Sequence, residues 1–136
     1  MVYHWFAHAD TIEYNSADLM NYSVDSIFTS AGQQTILGYN CSYVYIKLSN
    51  DTLPWMNYEV ESWGSMDLFI KENRFENFKD GAKNLIFEHL KSLSLQVITR
   101  NTRATITMTA TKIKRKKLED RIFTYDQTLP MKEFRP

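Results

Sequence analysis

The sequence has little of what marks most catalytic or exported domains. It holds one cysteine, Cys41, so no internal disulfide can form, and a reducing, cytoplasmic compartment is the expected setting. It holds only four glycines, at 32, 38, 64 and 81, and none falls into a G-x-G-x-x-G or G-x-x-x-x-G-K pattern. A glycine-built phosphate cradle is therefore not expected. Three prolines in 136 residues leave little to interrupt regular structure. No apolar run approaches the ~20 residues that a membrane-spanning helix needs, so no membrane association is expected. The N-terminus lacks the basic start and apolar stretch of a secretory signal. No Cys/His set has zinc spacing and no G-x-S-x-G elbow occurs, so neither a metal, nor a cofactor, nor a catalytic constellation is predicted.

What is present is apolar and aromatic. Hydrophobic residues make up 43% and aromatic residues 14%, enough to build one core in a chain of this length. One domain over 1–136 is expected, with 126–136 as an extended tail that Leu129, Met131 and Phe134 are able to dock. Net charge is zero but unevenly placed. Residues 1–99 carry 6 basic and 12 acidic groups, whereas residues 100–136 carry 10 basic and 4 acidic groups. Such asymmetry marks either a partner surface or two halves of one fold that attract each other.

Periodicity orders the elements. Val2 to Ala7 reads as a short strand, followed by a polar loop through Asn15. Ser16 as N-cap, Asp18 in the first turn, and Met20, Val24, Ile27, Phe28 and Ala31 at helical spacing predict a first helix over 17–31, closed by Gly32. In Tyr43 to Leu48, Val44, Ile46 and Leu48 share one face while Tyr43, Tyr45 and Lys47 share the other, which predicts a strand. Met56 to Trp63 predicts another, with Glu59 and Glu61 outward. Gly64-Ser65 marks a turn or bulge before a third short segment, Met66 to Ile70. Asn73 and Glu76 resemble a capping box, and Phe78, Ala82, Leu85, Ile86, His89, Leu90 and Leu93 form an apolar stripe that predicts a second helix. Gly81 inside it shifts the expected start toward Asn77. Leu95–Thr99, Arg103–Ile113 and Arg121–Tyr125 predict three closing strands.

The expected fold class is α+β: a mostly antiparallel sheet of five to seven strands with two helices on one face. The first part of this order resembles the β-α-β-β-α-β order of ferredoxin-like folds, here with an added C-terminal hairpin. That resemblance concerns element order and implies no function.

One segment stands out. In Arg103 to Thr111, Ala104, Ile106, Met108 and Ala110 alternate with Arg103, Thr105, Thr107, Thr109 and Thr111. The first set is expected to face the core and the second to face outward. Lys112, Lys114, Arg115, Lys116 and Lys117 then place five cations in six residues. Hydroxyls beside cations suit phosphate oxygens, and aromatic rings suit base stacking, which makes nucleic-acid binding one expectation. The other is contact with a partner protein, since Trp, Tyr and Arg dominate binding hot spots and Trp5, Trp55 and Trp63 are available. Such a protein acts by occupying a partner's surface, as small phage and mobile-element inhibitors do. The same threonines and lysines also describe a protected sheet edge. A threonine-rich edge equally suits pairing with a second copy as a homodimer. A small enzyme with a site at His4, His8 and Asp10, or at Cys41, is the third expectation. His4 and His8 on one strand face lie about 13 Å apart, too far to share one ion.

Overall fold

The computed structural model describes residues 2–4, 12–15, 22–70, 76–117 and 128–133. In chain order the strands are β1 (Val2–His4), β2 (Ile12–Asn15), β3 (Ser23–Ile36), β4 (Tyr39–Ser49) and β5 (Tyr58–Phe69). Helix α1 (Lys83–Leu90) precedes β6 (Ser92–Asn101), β7 (Thr105–Thr109) and β8 (Met131–Glu133). Short 3-10 turns occupy Pro54–Met56 and Asp80–Ala82. The chain forms two compact units, one of Met1–Ala17 with Ile113–Pro136 and one of Asp18–Lys112.

In the smaller unit, β2 is the central strand. It pairs antiparallel with β1, placing His4 opposite Glu13, and parallel with β8, placing Glu13 opposite Lys132. Residues 131–133 of the expected extended tail form β8.

The larger unit is a five-stranded sheet in the order β3-β4-β5-β6-β7, antiparallel throughout. Val44, Ile46 and Leu48 on β4 and Val60 on β5 are buried against Ala82, Ile86 and Leu90, with Tyr22, Tyr58, Leu85 and Val97 packed around them. This is the core, and α1 is its lid. The helix is short for a local reason. Gly81 and Ala82 both take left-handed backbone conformations, with φ of 62° and 56°, so no helix runs through them. At its other end Lys91, at φ 51°, closes the last turn through its N–H on the Phe87 carbonyl.

Three expectations are corrected. The sheet carries one α-helix among the described residues, not two helices on one face, so the ferredoxin-like α+β arrangement does not hold. The predicted first helix is strand β3 from Ser23 onward; residues 17–21 lie outside the described residues. A bulge between Val24 and Ser26 explains the misleading period. Val24 pairs with Leu48 and Ile27 with Ile46, so two residues three apart share one sheet face and imitate helical spacing. In the predicted second helix, residues 76–79 are turn and coil, and Leu93 belongs to β6. Asn73, the proposed cap, lies outside the described residues. His89 is exposed while Phe87 is buried, so the stripe that seats the helix is Ile86, Phe87 and Leu90.

Met56 to Trp63 and Met66 to Ile70 join into the single strand β5, whose register shifts around Gly64. The predicted strand Arg103–Ile113 is strand only over Thr105–Thr109. Arg121–Tyr125 lies outside the described residues.

Candidate functional site

The antiparallel register builds a second face opposite α1. Strand alternation sends Tyr43, Tyr45 and Lys47 away from the core. Their cross-strand partners on β5 are Trp63, Glu61 and Glu59. These in turn stand opposite Gln96, Ile98 and Arg100 on β6, which stand opposite Thr109, Thr107 and Thr105 on β7. On the other side β3 contributes Ser30, Phe28 and Ser26. Three rows of five residues result. One runs Ser30-Tyr43-Trp63-Gln96-Thr109, the next Phe28-Tyr45-Glu61-Ile98-Thr107, and the last Ser26-Lys47-Glu59-Arg100-Thr105.

The rows are chemically distinct. The first two hold the aromatic patch: Tyr43 and Trp63 rings lie 4.9 Å apart, and Phe28 meets the Tyr43 ring edge-on at 6.3 Å. Phe28 is 58% exposed. The third row alternates charge, with Lys47 opposite Glu59 and Glu59 opposite Arg100. Arg100 forms an ion pair with Glu61, and the Tyr43 hydroxyl donates to the same carboxylate at 3.2 Å. Gln96 Nε2 donates to Thr109 Oγ1 at 2.9 Å, fixing one threonine of the row. Beyond the second bulge of β3, Gln34 reaches across to Gln96 at 3.4 Å. A hollow of about 350 Å³ at the charged end is lined by Asp25, Lys47, Glu59, Arg100 and Thr102.

Burial pushes the Tyr43 hydroxyl up to about 12, and the neighbouring Glu61 carboxylate adds to the shift. Tyr45 moves in the same direction, by burial first and then by Glu59. The sign follows from linkage. A tyrosine in the unfolded chain ionises near 10, so the contribution of Tyr43 to stability is whole below about 10 and is lost as pH climbs to about 12. Unfolding experiments across this alkaline window are expected to show a steeper loss of stability in the wild type than in Tyr43→Phe. Parallel slopes would refute the buried, carboxylate-paired hydroxyl.

The predicted site residues are placed as follows. Thr105, Thr107 and Thr109 stand on the aromatic and charged face. Ile106 and Met108 point to the α1 side, as their alternation predicts, but they are not core: they are 55% and 59% exposed. The helix covers β4, β5 and β6 and stops short of β7. Where its cover ends, a groove of about 340 Å³ is lined by Ile86, Phe87, Leu93, Val97 and Met108 among others. At the same groove the Lys83 ammonium sits 4.5 Å over the Phe78 ring. Arg103 is exposed in the β6–β7 turn, where Asn101 Oδ1 accepts from the N–H groups of Arg103 and Ala104, each at 2.8 Å. Thr111, Lys112, Lys114, Arg115, Lys116 and Lys117 are exposed and outside regular structure.

For the enzyme expectation, His4 is on β1, while His8 and Asp10 lie outside the described residues. Cys41 is fully buried. Desolvation pushes its thiol up, against the thiolate that nucleophilic chemistry needs. Among the described residues no three His, Cys, Asp or Glu side chains cluster to hold a metal, and no helix is long and apolar enough to cross a membrane.

Sequence reasoning found the outward Tyr43, Tyr45, Lys47, Glu59 and Glu61 strand by strand. It missed that Trp63, Arg100 and the threonines share their face. Only the register β4-β5-β6-β7 brings them together.

These features define a small antiparallel-sheet domain that combines a helix-covered core face with an aromatic, charged second face. The chain belongs to the family described as a domain of unknown function (DUF4412), which matches residues 5–127. No curated protein matches the chain, and no solved structure does.

Proposed function

We propose that this chain is a non-catalytic interaction protein that binds a partner protein through the second face of its five-stranded sheet. The observation that carries the reading is the grid itself. Phe28, Tyr43, Tyr45 and Trp63 form an aromatic patch bordered by Lys47, Glu59, Glu61 and Arg100. Aromatic anchors beside arginine, ringed by polar groups, are the composition of binding hot spots. Strand-borne anchors are also held in place before binding, which lowers the ordering cost of association. Blocking a partner by covering its surface, in the manner of a phage or mobile-element inhibitor, is the sharpest form of this reading.

The test compares proteins retained from lysate by the wild type, by Phe28→Ala and Trp63→Ala, and by a charge reversal of Lys114, Arg115, Lys116 and Lys117. Truncating a hot-spot aromatic costs about 2 kcal/mol or more, near thirtyfold in affinity. A partner kept by the wild type and lost by the two aromatic variants, with circular dichroism unchanged, supports the face. An identical retained set in all variants sinks both the face and the cluster as binding surfaces.

A second reading is favoured by a different observation, the exposure of Lys112, Lys114, Arg115, Lys116 and Lys117. It makes these cations, with Arg103, Thr105, Thr107, Thr109 and Thr111, a nucleic-acid contact. Glu59 and Glu61 count against it for the sheet face, because carboxylates among the rings repel a phosphate backbone. It predicts binding to single-stranded or duplex probes that weakens steeply with salt. Flat fluorescence anisotropy at low salt rejects it.

A further inference from the structure

The two edges of the five-stranded sheet differ. On the β3 edge, register shifts at Val24/Ser26 and at Ser30/Gln34 distort the strand, and Asp25 adds a charge. Both features discourage edge pairing. The β7 edge has neither. Its register with β6 is unbroken from Thr105 to Thr109, and the segment Thr105-Ile106-Thr107-Met108-Thr109 carries no charge and no proline. All five residues are exposed, and no strand among the described residues pairs with its outer side.

The hydrogen bonds of the β6–β7 hairpin fix which backbone groups are free. The Asn101 N–H donates to the Ala104 carbonyl at 3.0 Å, and the Ala110 N–H donates to the Leu95 carbonyl at 2.7 Å. In an antiparallel pair, alternate residues bond toward the neighbour. Ile106 and Met108, two and four residues on from Ala104, therefore bond inward to β6. Thr105, Thr107 and Thr109 aim their N–H and C=O groups outward.

We propose that β7 pairs antiparallel with β7 of a second copy, about a two-fold axis at Thr107, to make one continuous sheet through a homodimer. This register satisfies two independent requirements at once. The outward backbone groups of Thr107 meet those of the second Thr107, and those of Thr105 meet Thr109. The side chains then match: Ile106 opposes Met108 on the α1 side, and threonine opposes threonine on the other. Both pairings are favourable cross-strand contacts, and the arrangement is self-complementary, as a two-fold interface must be. The exposed Ile106 and Met108 gain apolar neighbours where α1 leaves them uncovered. Five residues a side form a small interface, so the dimer is concentration-dependent. Dimerisation does not depend on the partner-binding reading, and its test uses the purified chain alone.

Sedimentation of the wild-type chain over a wide concentration range is expected to show a monomer–dimer equilibrium. Thr107→Pro removes an N–H that β6 does not use, so the hairpin survives while the pairing at the axis is lost. A monomer at all concentrations with unchanged circular dichroism is the expected result. Cysteine cross-linking tests the register without a proline. Paired residues at the axis have Cα atoms about 5.5 Å apart, within disulfide reach, so Thr107→Cys is expected to form a covalent dimer on mild oxidation. The two copies of position 105 lie four residues apart along the strands, about 13 Å, beyond disulfide reach, so Thr105→Cys is expected to cross-link far less than Thr107→Cys. The native Cys41 is buried and does not compete. A wild type that stays monomeric throughout, a dimer indifferent to Thr107→Pro, or equal cross-linking at 105 and 107 overturns the proposal.

Discussion

Replacing Ile46 with alanine lowers the unfolding free energy of the chain by about 3–4 kcal/mol, the middle of the range for a buried aliphatic site. Ile46 is fully buried at the middle of β4, between Ile27 on one neighbour and Val60 on the other, beneath the helix that Ala82, Ile86 and Leu90 anchor. Strands hold it from both sides, so the cavity has little freedom to collapse. Ile106→Ala provides the comparison. That side chain has the same chemistry but is 55% exposed, and its truncation is expected to cost under about 1 kcal/mol in the monomer. Chemical denaturation checks both, with the midpoint shifting and the slope unchanged. Equal losses at 46 and 106 would show that the core is not where α1 places it.

Gly64→Ala is expected to cost about 2–3 kcal/mol, because the site is overpacked rather than conformationally strained. A Cβ there would collide with Ser92 Oγ and would sit 2.9 Å from the Leu93 carbonyl oxygen, with Leu90 Cδ1 at 3.4 Å. Gly64 lies where β5 changes register against β6, and the close approach lets the chain leaving α1 enter the sheet. Ser92→Gly in the Gly64→Ala background removes the hydroxyl but not the Leu93 backbone. It is therefore expected to restore part of the loss and not all of it. Thermal or denaturant unfolding of the single and double variants measures this. Full recovery would mean that the serine alone sets the constraint. A neutral Gly64→Ala would remove the close approach altogether.

Both effects arise where the structure agrees with local sequence signals. The alternation in Tyr43–Leu48 was legible, because a strand with one dry face must repeat every two residues. Its dry set, Val44, Ile46 and Leu48, is the observed core set. The outward Glu59 and Glu61 and the irregularity at Gly64 were legible for equally local reasons. The expected helix start near Asn77, by contrast, ran through Gly81, where the backbone turns left-handed, and α1 begins only at Lys83. Strand β3 was not legible. Its bulge places Val24 and Ile27 on one face at a helix-like interval, and no local pattern separates that from a true helical repeat. The burial expected of Ile106 and Met108 failed for a related reason. Alternation tells which face a side chain takes, and the reach of α1 decides whether that face is covered.

The threonine row, the basic run after it, and the two faces of β4 were all readable along the chain, since each is a matter of neighbouring residues and the two-residue period of a strand. The pairing of strands places the threonines of β7 on one face with Tyr43, Trp63, Glu61 and Arg100, and makes β7 an edge among the described residues. Both depend on which strands pair and in what register. Hydrogen bonds between segments up to tens of residues apart fix that register, and no single segment encodes it.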